Sequence, residues 1–183
     1  MSGALPDSLP VMERILSRHV TRDFQERPIP EETLLQLIRA ACAAPWGGGA
    51  HVGRYVVVTA NLNLRKIRAV SPGMTGKPSA VIALCLDTGE AEELGLGSGQ
   101  KTALYLALGA AMQNILLAAQ DFGLGGCPIG SFHRGALRIL LGLPESLEPV
   151  LMVAVGFPTP VDRPKPEPPE PDLSRFTHWE RFS

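Results

Sequence analysis

Apolar positions recur at helical spacing through "PIPEETLLQLIRAACAAP", where Leu34, Leu37, Ile38, Ala41 and Cys42 fall on one stripe. Pro30 stands near the start, Glu31 and Glu32 occupy the first turn, and Pro45 bounds the end, so the pattern predicts an amphipathic helix. "RYVVVT" at 54–59 and "SAVIALCLD" at 79–87 are continuous β-branched or apolar runs of strand length, expected to be buried on both faces. Between them "NLRKIRAV" has the spacing of a short helix. "QKTALYLALGAAMQNILLAAQDF" is apolar around most of its circumference, as a core helix or one packed on a partner subunit would be. "ALRILLGL" predicts another short helix, and "PVLMVAVGF" at 149–157 a third buried strand. Helices and strands mixed without a regular βαβ repeat point to the α+β class, as a three-layer α-β-α sandwich.

Two segments break this rhythm. "FGLGGCPIGSF" succeeds the long helix with four glycines and a proline. Gly123 suits the C′ position of that helix, but a C-cap and turn leave Gly125, Gly126, Pro128 and Gly130 without a purpose, so the segment reads as a turn that offers bare backbone to something else. From Pro158 the composition changes, with seven prolines between 158 and 171. Such a stretch runs extended over a surface. It ends in "RFTHWERF", whose aromatics Phe176, Trp179 and Phe182 call for somewhere to dock. The chain therefore divides into one domain over residues 1–157 and an extended C-terminal arm over 158–183.

Composition narrows the function classes. At 183 residues a single domain buries roughly 70% of its unfolded surface, enough for a core without staples. A net charge of −1 gives no footprint for nucleic acid, and a small-molecule ligand becomes the default. Cys42, Cys85 and Cys127 form no C-x-x-C pair and leave one over, which fits a reduced cytoplasmic protein and disfavours zinc. The first residues lack the basic and apolar regions of a secretory leader, and no run of about 20 apolar residues suggests a membrane span.

Candidate chemistry is sparse. "RHVTRDF" carries Arg18, His19 and Arg22, with Arg65 or Lys66 as companions; on a helix or its exit, the i, i+4 arginines would face one way and could grip a phosphate. Taken alone, a solvated basic face explains them better. "APWGGGAHVGRY" sets Trp46, Gly47, Gly49 and His51 before a strand, where Trp46 alone is usually core and His51 usually meets a local hydrogen bond. "GLGSGQKT" imitates a P-loop, but Gln100 stands where the sixth position needs glycine, and "GLGGCP" breaks G-x-G-x-x-G at Pro128. No G-x-S-x-G, H-E-x-x-H or spaced carboxylate pair rises above chance. A cofactor enzyme remains.

In their order along the chain, these segments resemble the FMN-dependent nitroreductase family. The family's R-R-S-x-R-x-F, P-I-P-x-E-x-L and A-P-S-x-x-N motifs are matched by Arg18, Arg22, Phe24, Pro28, Pro30, Glu32, Leu34, Ala44 and Pro45. Its G-x-A-x-x-N helix, G-L-G and P-I-G turn, and G-Y-P strand end are matched by Gly109, Ala111, Asn114, Gly123–Gly125, Pro128–Gly130 and Gly156–Pro158. The likeness spans roughly residues 12–170 and, around "GLGGCPIGSF", is closest to the azoline-forming dehydrogenase branch. Val20, Trp46 and Gly49 stand where the family motifs carry serine, serine and asparagine.

The resemblance implies an α+β nitroreductase-like sandwich with a central mixed sheet, a homodimer whose arms cross over, and non-covalent FMN reduced by NADH or NADPH. It implies cofactor-binding roles for Arg18, His19, Arg22, Trp46, Gly47, Gly49, His51, Pro128, Ile129, Gly130, Arg163 and Lys165, with the Gly130 N–H donating to flavin N5 and Arg163 or Lys165 joining the phosphate grip. The flavin carries the chemistry, so no side chain is expected to be catalytic. A small nitroaromatic or quinone is the expected acceptor. Two rivals stay open: a peptide-azoline oxidase of the same fold, and a flavin-binding or sensing protein without turnover.

Overall fold

A computed structural model describes residues 10–96, 98–160 and 170–182. In chain order its elements are α1 (Pro10–Ser17), α2 (Glu31–Cys42), β1 (Gly53–Val58), α3 (Asn61–Ala69), β2 (Ala80–Asp87), α4 (Thr88–Glu93), α5 (Lys101–Asp121), β3 (Gly125–Ile129), α6 (Arg134–Leu141) and β4 (Leu147–Gly156).

The strands lie in the order β1-β2-β4-β3, and each neighbouring pair is antiparallel. This corrects the expected mixed sheet in detail. Among the described residues the parallel pairing is a single isolated bridge, Val20 to Gly126, outside the named strands. After β1, α3 and the irregular residues 70–79 bring the chain back to the end of the sheet it left, so β2 runs in reverse.

Strand alternation creates the three layers. Ala80, Ile82, Leu84 and Leu86 of β2, with Val153 and Val155 of β4, pack with Leu34 and Leu37 of α2 and Leu104, Leu108, Ala111 and Ile115 of α5. The intervening Val81, Ala83 and Cys85, with Met152 and Ala154, pack with Leu64 and Ile67 of α3 and Leu137 of α6. Successive side chains leave opposite faces of a strand, so one apolar run serves two helical layers. Each fully buried Leu or Ile here contributes about 1.5–3 kcal/mol.

β2 is buried from Ala80 to Leu86, as expected of a central strand, whereas β1 is an edge strand with Val57 38% exposed. The expectation that β1 is covered on both faces fails because its outer edge has no neighbouring strand among the described residues. On α2, Leu34, Leu37 and Ala41 are buried and Ile38 is half-buried, but Cys42, in the last turn, is exposed.

The 21-residue α5 is long and apolar enough by length and composition to cross a membrane, contrary to the sequence expectation. Seven of its residues are buried, and Asn114 Nδ2 donates to the Ala40 carbonyl of α2 at 3.1 Å, as befits the central helix of a packed domain. Its first turn is fixed by Glu148 at the start of β4. That carboxylate pairs with Lys101 at 2.9 Å and Arg134 at 2.7 Å, and accepts from the Tyr105 hydroxyl at 2.7 Å.

Candidate cofactor site

The helix before the glycine-rich segment ends as the sequence suggests, with Gly123 at φ 65° one residue past the C-cap Phe122. The glycine-rich segment itself is a strand, not a turn. Gly125–Ile129 pairs with β4 from Gly125 opposite Gly156 to Ile129 opposite Met152. Pro128 tolerates this place because β3 is the last named strand of the sheet.

The glycines serve close approach. The Thr21 N–H donates to the Gly126 carbonyl at 3.0 Å, seating residues 20 and 21 on β3, while Phe24 bridges to Pro158 just beyond β4. A Cβ at Gly125 would collide with the Thr21 side chain, one at Gly126 would reach 2.6 Å from Leu116 Cδ2, and one at Gly156 would reach 2.7 Å from the Phe24 ring. Gly130 differs, since a Cβ there would meet nothing within 4 Å. Gly130 and Pro128 are both exposed.

The basic segment is fastened at both ends. The Gln25 N–H donates to the Phe157 carbonyl at 2.8 Å, Gln25 Nε2 donates to the Pro158 carbonyl at 2.7 Å, and the Thr159 N–H donates to the Asp23 carbonyl at 3.0 Å. Arg18 and Arg22 are not a helical i, i+4 pair, because α1 ends at Ser17 and the chain then runs extended. Arg18 is half-buried and Arg22 exposed, and neither side chain has a hydrogen bond or ion pair among the described residues. His19 Nδ1 meets the Ser17 carbonyl at 3.3 Å, a local contact. Val20 is half-buried against the α3/α6 core.

The segment bearing Arg18, His19 and Arg22 is thus bridged to β3 at Gly126, and the same strand ends in Pro128 and Ile129 with Gly130 just beyond. Arg22 and Ile129 also line one small cavity of about 10 Å³ with Cys127 and Phe24. Ile129 itself is a core residue at 2% exposure, leaving its backbone as the part that could reach a ligand. Cys127 is equally a core residue, its Sγ donating to the Pro128 carbonyl at 3.5 Å.

Trp46, Gly47, Gly49 and His51 lie elsewhere. They lead into β1 at the opposite edge, three strand spacings or roughly 14 Å across the sheet. The Trp46 and His51 rings are 5.0 Å apart, and His51 stands edge-on to Tyr55 at 6.5 Å. Burial, then the neighbouring Cys42, pushes the Tyr55 hydroxyl up to about 12. Tyr55 was not singled out from sequence, although it shares a strand face with Gly53, on which Trp46 lies. Arg163 and Lys165 fall outside the described residues.

A groove of about 1260 Å³ contains Arg65, a candidate companion of Arg18 and Arg22, and none of the other described candidates. It runs between α2, α3 and the free edge of β1, lined by Arg27, Arg65, Arg68 and Lys77 against Glu26 and Glu31. Volume alone does not make it the cofactor site. Arg18 and Arg22 lie instead on the segment bridged to β3.

Comparison with known proteins agrees with this architecture. A relative from Archaeoglobus fulgidus, whose name pairs NADH dehydrogenase with NAD(P)H nitroreductase, is 31% identical over 153 residues, 80% of this chain and 84% of the relative. The NADPH-flavin oxidoreductase of Vibrio harveyi is 28% identical over 86% of this chain and 70% of its own. The crystal structure of a Parabacteroides distasonis protein bearing the same paired name superposes with a TM-score of 0.78 at 27% identity, over 93% of this chain and 98% of that one. Residues 15–81 and 78–157 match the Nitroreductase family, and the chain belongs to that family.

Proposed function

We propose that this chain is an FMN-dependent oxidoreductase that takes hydride from NADH or NADPH and reduces a small acceptor such as a quinone or nitroaromatic. The observation that carries the reading is the seating of the segment bearing Arg18 and Arg22, both without protein partners among the described residues, on β3, the strand that leads into the exposed Gly130 backbone. A solvated basic face would account for the arginines alone. It would not account for the glycines that let the segment lie flat on β3, nor for the open space around Gly130.

When bound, FMN supplies the two-electron chemistry. The chain's part is to hold it. Arg18 and Arg22 supply charge-assisted donors to the phosphate, and the absence of a side chain at Gly130 lets backbone approach a flat ring edge. The Arg163 and Lys165 cations of the arm are proposed to join the grip.

We further propose a homodimer as the working unit. On α5, Leu106 is 70% exposed and a Cβ at Gly109 would meet nothing, so that face lacks cover within the described residues. Phe176 and Trp179 of the arm are 72% and 85% exposed, without cover among the described residues. The groove beside the free β1 edge is proposed to take the partner's arm, whose Glu170 and Asp172 would complement Arg27, Arg65, Arg68 and Lys77. A dimer would also answer the split of the predicted residues between two sheet edges, because a partner's Trp46–His51 can face the β3 edge where its own chain's cannot. Three free cysteines suit the cytoplasm as the compartment.

Val20 packed into the core and Gly49 without a side chain favour a second reading, a flavin-holding protein without turnover. Loading with FMN followed by heat release tests the shared part of both. FMN, not FAD, is expected in the supernatant, and failure to bind FMN at any micromolar concentration removes both readings.

A further inference from the structure

Three polar atoms of one aromatic cluster lack partners. Trp46 Nε1, His51 Nε2 and Tyr55 Oη are each shielded from solvent and make no hydrogen bond among the described residues. Buried polar groups are nearly always paired, so three orphans in one cluster require an explanation. The cluster exists because position 53 is glycine. A Cβ there would lie 2.7 Å from Trp46 Cζ2 and 3.3 Å from Tyr55 Oη, so the bare strand is what lets the indole lie across it. Tyr55 is anchored in β1 opposite Leu84, on the rigid sheet.

The chemistry of the orphans is directional. The Trp46 N–H can only donate, and Tyr55, protonated at neutral pH like any ordinary tyrosine, offers an O–H. His51 Nε2 can play either part. Two donors among flat rings complement an oxygen atom on a flat body. The Gly47–Gly49 turn borders the cluster with its backbone beside α5, and it carries no side chains: an added Cβ at any of its three residues would meet no atom within 4 Å. Its own hydrogen bonds, Gly49 N–H to Trp46 O at 3.2 Å and Ala50 N–H to Gly47 O at 3.4 Å, are long.

We propose that Trp46, His51 and Tyr55 form a subsite that recognises an oxygen of a flat aromatic electron acceptor, a quinone carbonyl or a nitro oxygen, admitted past the Gly47–Gly49 turn. The inference rests on the reading of the chain as a flavin oxidoreductase and extends it from the cofactor to the acceptor. A trapped water bridging the three atoms is the competing explanation.

Calorimetric titration of the FMN-loaded protein with oxidised menadione, without NAD(P)H, tests the subsite apart from turnover. Tyr55→Phe keeps the ring and deletes one donor; menadione affinity should fall about tenfold, with FMN affinity within about twofold and an unlowered melting temperature. Unchanged menadione affinity in Tyr55→Phe, no menadione binding by the wild type, or parallel losses of FMN and menadione would each overturn the proposal. Ferricyanide, which needs no such subsite, reports on the underlying reading. A wild type that cannot reduce it with NAD(P)H fails as an oxidoreductase whatever menadione does.

Discussion

The Thr21 amide donates to the carbonyl of Gly126 at 3.0 Å, and through that bond the segment bearing Arg18 and Arg22 is held against β3. The sheet edge and the basic segment are one unit. A change that separates them should reach the cofactor without touching any residue that contacts it.

Gly126→Val tests this coupling. The added side chain would strike Leu116 Cδ2, which a Cβ alone would approach to 2.6 Å. Overpacking of this kind costs about 1–3 kcal/mol, a fall of roughly 2–12 °C in melting temperature at this chain length. FMN affinity should fall with it. Gly130→Ala, in open space, should leave the melting temperature within error while FMN affinity falls, because the added methyl meets the ring edge.

The phosphate grip separates two flavins. Arg18→Ala removes a charge-assisted contact worth about 1.5–3 kcal/mol, or roughly 10–150-fold in FMN affinity. Riboflavin, lacking the phosphate, should lose far less. Equal losses in a fluorescence titration would put Arg18 somewhere other than the phosphate.

Glu148 gives a pH signature. Burial pushes its carboxyl up, but hydrogen bonds from Lys101 and Tyr105 and the charges of Lys101 and Arg134 outweigh that, leaving it below the ordinary glutamate range. A depressed carboxylate stabilises above its unfolded value, about 4.3, and the contribution is lost as pH falls through the lower folded value. Lys101, raised chiefly by its hydrogen bond to Glu148, contributes below the ordinary lysine value and loses this only as pH rises through its elevated one. Glu148→Gln should therefore cost about 1 kcal/mol at neutral pH, discounted for partial exposure, with the gap to wild type closing in acid. Melting curves from neutral to strongly acidic pH check it; a constant gap would assign the loss to packing.

The proposed contacts of the arm would link assembly to cofactor. Ending the chain after Pro160 keeps the Thr159 bond to Asp23 while removing Phe176, Trp179, Arg163 and Lys165. Dimer and FMN affinity should weaken together in sedimentation and titration. A truncated protein that stays dimeric with unchanged FMN affinity would make the arm an appendage.

Periodicity exposed most of the architecture because it reports burial. Leu34, Leu37 and Ala41 marked α2, and the unbroken Ala80–Leu86 run marked the strand covered on both faces. β3 was hidden because its sequence, Gly-Gly-Cys-Pro-Ile, carries turn residues; they are there to admit Thr21 and Leu116, contacts distant in sequence. α1 was equally invisible. Its Val11, Ile15 and Leu16 are exposed, and it is tied to α5 by Ser17 with Gln120 and Arg14 with Asp121. Of the candidate site, the order of motifs identified Arg18, Arg22 and Pro128–Gly130 but not the separation of Trp46 and His51, since strand order is not written in local pattern. Tyr55 drew no notice because a tyrosine in a strand ordinarily signals only packing.

Anaerobic titration of the FMN-loaded protein with NADH or NADPH, monitored by the visible flavin absorbance, tests the central claim most directly. The account predicts bleaching in proportion to the nicotinamide added and recovery of colour on addition of menadione. Bound flavin that stays yellow with excess of either nicotinamide would contradict it and leave a binding protein without turnover.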